Sequence, residues 1–78
     1  MNADIEKNLG EQPISRVMAA SGLKSHDLVV YSDEQLTHKM VTRAIKGRRL
    51  TPHVQSKVRN ALNSAIKKNY SLKDLFTY

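Results

Sequence analysis

The side chains best suited to chemistry in this 78-residue chain are its cations. Ten Lys or Arg residues lie from position 37 onward, against the single acid Asp74. Residues 1–36 carry only Lys7, Arg16 and Lys24, set against Asp4, Glu6, Glu11, Asp27, Asp33 and Glu34, so the net charge of +6 is a local patch and not an average. A positive field of that kind draws polyanions, and double-stranded DNA, with one charge per ~1.7 Å of axis, is a common one. Arginine adds geometry to charge, because its guanidinium donates two parallel bonds to guanine O6 and N7.

Other chemistries lack their parts. His26, His38 and His53 invite a metal reading, but they form no HxxxH or carboxylate-histidine spacing and the chain has no cysteine. No metal or other cofactor is therefore expected. There is no glycine-rich phosphate loop and no nucleophile elbow, and the few carboxylates sit in the polar N-terminal half, so the chain is not expected to be an enzyme or to hold a small-molecule ligand.

The elements that must carry the cations read as helices. Pro13, Ile14, Val17 and Met18 lead to Ser21-Gly22, a helix with proline in its first turn and glycine past its end. Ser25 is the expected cap of a short second helix, SHDLVVYS, with Asp27 in the first turn and Leu28 and Val29 facing the core. Thr37 is the next expected cap, flanked by Leu36 and Val41 as a hydrophobic staple, and the helix THKMVTRAIK stops at Gly47. A competing register starts near Asp33, since Ser32 and Gln35 also make a capping-box pattern. Thr51-Pro52 opens the longest helix, whose apolar residues Val54, Val58, Ala61, Leu62, Ala65 and Ile66 recur at helical spacing to about Lys68. Ser71 caps a last turn carrying Leu72, Leu75 and Phe76.

No strand-length alternation appears, so the fold class is all-α, a four- or five-helix domain over residues 12–78 preceded by a loose arm, residues 1–11. A chain this short has one core. No apolar run is long enough to span a bilayer, MNADIEKNLGEQ is not a signal peptide, and cysteine is absent, so a cytoplasmic location without membrane contact is the expectation.

Residues 22–62 resemble the helix-turn-helix domain of the lambda-repressor and Cro family. Gly22-Leu23 is followed by Leu28 and Val29. THKMVTRAIKGRRLTPHVQSKVRNAL then keeps the family's spacing of the capping Thr37, core Val41 and Ala44, terminal Gly47, and Pro52, Val54, Val58 and Leu62. Two extra residues lie between Val29 and Val41. The resemblance implies a small transcriptional regulator that binds duplex DNA in a sequence-specific way, with the third helix in the major groove. It places His38, Lys39 and Arg43 at base edges, and Ser25, Thr37, Thr42, Lys46, Arg48, Arg49 and His53 along the DNA backbone. Family members usually bind paired half-sites, which implies a homodimer, with Tyr70, Leu72, Leu75, Phe76 and Tyr78 left for the contact. Those residues could instead cover the first helix within one subunit. Two other functions compete: a basic RNA- or ribosome-binding protein, which would want aromatic platforms that the basic half lacks before Tyr70, and a protein-interaction module such as an antitoxin.

Overall fold

Helix starts and stops written into the sequence account for most of the element boundaries. The computed structural model describes residues 10–78, and in them five α-helices follow one another: α1 Pro13–Ala20, α2 Ser25–Tyr31, α3 His38–Lys46, α4 Pro52–Ile66 and α5 Leu72–Leu75. No β-strand occurs among the described residues. The expected arm, residues 1–11, lies mostly outside them. No helix among them is long and apolar enough to cross a membrane.

Pro13 stands in the first turn of α1, and Ile14 and Met18, one turn apart, bury the same face. Gly22, at φ +70°, lets the Leu23 amide donate back to the Met18 carbonyl at 2.9 Å, the glycine-dependent closure of a helix end.

Ser25 does not cap α2. Lys24 holds the cap position, and Ser25 is the first helical residue. The end is satisfied from inside the helix, because an Asp27 carboxylate oxygen accepts the Lys24 amide proton at 2.8 Å. A carboxylate reaching back from the third helical position leaves the serine hydroxyl with no capping task.

Between α2 and α3 the competing register near Asp33 is not adopted. The Ser32 hydroxyl accepts the Glu34 amide proton at 3.0 Å, which spends it on a local turn. The two additional residues become loop, and α4 secures that loop: Asn60 donates to Glu34 Oε2 at 3.0 Å and the Lys57 ammonium donates to the Gln35 carbonyl at 3.1 Å. α3 then begins after Thr37, whose hydroxyl accepts the Met40 amide proton at 3.2 Å, while Leu36 and Val41 both join the core.

α2 and α3 pack against α4 and each other, α1 lies on α3, and α5 bridges α1 and α4. Leu28, Val41, Val58 and Leu62 are wholly buried at the centre. Val29, expected in the core, is half-buried against it. α4 ends at Ile66, two residues before the expected stop, because Lys67 takes a left-handed conformation at φ 54° and the Asn63 side chain captures both polar groups of the Tyr70 backbone.

The C-terminal segment answers the choice left open between a free apolar edge and a cover for the core. Leu75 is fully buried and Phe76 nearly so within this single chain. The expected dimer contact therefore loses both residues. Gln12, buried just before α1, accepts from the Thr77 amide at 2.7 Å and from its hydroxyl at 2.9 Å, which pins the tail to the entrance of the first helix.

Candidate nucleic-acid interface

α3 has two unlike faces. Val41 and Ala44, three residues apart, point inward, and the opposite face presents His38, Lys39, Thr42, Arg43 and Lys46. The separation follows from the helical period of 3.6 residues, which returns positions 38, 42 and 46, and 39 and 43, to neighbouring rows.

Gly47 ends the helix at φ +79°. In that conformation the Arg48 amide donates back to the Arg43 carbonyl at 2.9 Å, so the chain turns sharply and Arg48 folds over the end of the helix. The result is a concave surface of about 430 Å³ lined by His38, Lys39, Thr42, Arg43, Lys46 and Arg48. Four of these six side chains are cations and none is an acid. Lys46 in the last turn also suits the negative end of the helix dipole.

Six of the ten residues singled out in the sequence thus meet on one surface. The remaining four are placed around it or apart. Arg49, exposed beyond the turn, holds its guanidinium 5.9 Å from the centroid of the Tyr78 ring. Thr37 caps α3 with its hydroxyl. Ser25 is half-buried in the first turn of α2, and His53 is exposed in the first turn of α4; neither lines the concavity.

Two participants were not legible beforehand. His26 meets His38 edge to edge, with ring centroids 5.5 Å apart and planes 17° from parallel, and its Nδ1 lies 3.3 Å from His38 Nε2. One imidazole N–H facing one bare ring nitrogen makes that a hydrogen bond. Tyr78 is the other: its hydroxyl accepts the Leu50 amide proton at 2.9 Å and donates to the Arg48 carbonyl at 3.3 Å. Sequence separations of 12 and 28–30 residues leave no local pattern to find either one. Among the described residues no three His, Cys, Asp or Glu side chains group to hold a metal ion.

Two acids, Glu34 and Asp74, are engaged away from the concave surface. Glu34 bonds Asn60 on α4, and Asp74 closes the first turn of α5. Asp74 accepts from the Ser71 amide at 2.9 Å and the Ser71 hydroxyl at 3.0 Å, and these bonds, the amide first, hold its carboxyl below the usual aspartate value.

Comparison with known protein families, curated proteins and solved structures gives no match to this chain.

Proposed function

We propose that this chain is a non-enzymatic, duplex-DNA-binding protein of the transcriptional-regulator class, in which α2 and α3 act as a helix-turn-helix. The observation that carries this reading is the concave, acid-free surface where α3 and Arg48 gather four cations. A narrow helix with one buried and one basic face suits the major groove, which is ≈ 12 Å wide and admits a single α-helix.

In this reading His38, Lys39 and Arg43 reach base edges, and Arg43 contributes most to sequence preference through its planar pair of donors. Thr42, Lys46, Arg48 and Arg49 meet phosphates, and Thr37, Ser25 and His53 stand along the same backbone path. The loop of residues 32–37 is longer than the family's usual turn, and one of its two acids, Glu34, is drawn to α4 by its bond to Asn60.

Titration of the ¹⁵N-labelled chain with random-sequence duplex DNA at low salt tests this. Shift changes should cluster on residues 37–53 and fade steeply as salt rises, because released counterions drive the binding. Shift changes that are absent, or that persist unchanged as salt rises, would overturn the DNA-binding reading.

A further inference from the structure

The Arg48 amide is tied back to the Arg43 carbonyl, and the basic loop after α3 is also held from a distant part of the chain. Gly47 has turned the chain, α4 has not begun, and residues 48–50 span the gap between them. One side chain, Tyr78, touches all three. Its hydroxyl accepts from the Leu50 amide and donates to the Arg48 carbonyl, and its ring sits beneath the Arg49 guanidinium. The 5.9 Å separation is within reach of a cation–π contact.

Tyr78 is itself fixed. Its ring meets Phe76 edge-on with centroids 5.7 Å apart, Phe76 is buried in the core, and Thr77 between them is clasped by Gln12. A chain of contacts therefore runs from the entrance of α1, through the extended tail, to the loop beside α3.

We infer that Tyr78 is a positioning residue for DNA binding, which sets residues 48–50 so that Arg48 and Arg49 face phosphates before the duplex arrives. This rests on the DNA-binding reading above. The physical reason is preorganisation: a loop already ordered in the free protein pays less side-chain and backbone entropy on binding. Tyr78 need not touch DNA for this. It acts through the two arginines, which distinguishes it from a residue that only stabilises the fold.

The test is a double-mutant cycle on duplex affinity at low salt. Tyr78→Phe keeps the ring under Arg49 and against Phe76 and removes only the hydroxyl, so the variant should melt as a folded chain. It should bind duplex roughly three- to ten-fold more weakly, the effect of one or two lost loop hydrogen bonds. In the Arg48→Ala/Arg49→Ala background the same substitution should cost nothing further, because the groups it positions are gone. The Leu50 amide should also exchange faster with solvent in Tyr78→Phe while core amides keep their protection. No loss in the parent background, or an equal loss in both, overturns the inference even if the parent binds DNA well. A parent chain that fails to bind duplex at all overturns the DNA-binding reading and this role with it, and the parent's own titration tells the two failures apart.

Discussion

His26 of α2 and His38 of α3 meet ring to ring, 5.5 Å between centroids, at the adjoining N-terminal ends of the two helices. Both rings are exposed, so the contact orients His38 more than it stabilises the fold. His26→Ala should leave unfolding free energy within roughly 0.5 kcal/mol of the parent. The ring resonances of His38 should nevertheless move, and unmoved resonances would show that the two imidazoles do not meet in solution.

Arg43 and Lys46 share the concave surface but are assigned different work. Arg43→Ala should cost ~1–3 kcal/mol on a preferred sequence and little on random duplex. Lys46→Ala should weaken all duplexes alike and lower the salt slope by about one unit. Binding curves for both variants over a salt series measure this; equal losses on every sequence for Arg43→Ala would remove it from base reading.

Val41 is wholly buried on the inner face of α3. Val41→Asp would place an unpaired carboxylate there at a cost of several kcal/mol, comparable with the whole stability of a small domain. Circular dichroism should show no cooperative melt. A melt near that of the parent would mean that α3 packs with another face inward.

Leu75 and Phe76 belong to the chain's own core, and Thr77 is tied to Gln12. Deleting residues 71–78 should therefore yield an unfolded chain and not a folded monomer with weaker DNA binding. A truncated chain with native helicity and a sharp melt would return the tail to the role of a subunit contact.

Asp74 has its carboxyl held below the ordinary aspartate value of 3.8 by the Ser71 amide and then the Ser71 hydroxyl. A group whose value falls on folding stabilises the native state above its unfolded value and stops doing so as pH drops through the folded one. Asp74→Ala should thus be less stable than the parent at neutral pH, and the gap should close as pH falls from about 4 into more acidic solution. A gap independent of pH would assign the loss to something other than the carboxylate.

The sequence by itself determined what local chemistry controls. Thr37, Thr51 and Ser71 each accept an amide proton three residues on, Pro13 and Pro52 stand in first turns, and Gly22 and Gly47 take the positive φ that closes a helix. Because α3 buries Val41 and Ala44, helical periodicity alone brought His38, Lys39, Thr42, Arg43 and Lys46 onto one face. That Lys24 and not Ser25 caps α2 is also local, because Asp27 reaches back to the Lys24 amide. Where local signals left two registers open, tertiary contacts decided. The register of α3 starts after Thr37 and not near Asp33, with α4 holding Glu34 and Gln35 in the loop. The pairing of His26 with His38, the burial of Leu75 and Phe76, and the capture of residues 48–50 by Tyr78 join segments far apart in the chain. No spacing rule reaches across such distances: these contacts exist only once one shared core has brought the helices together.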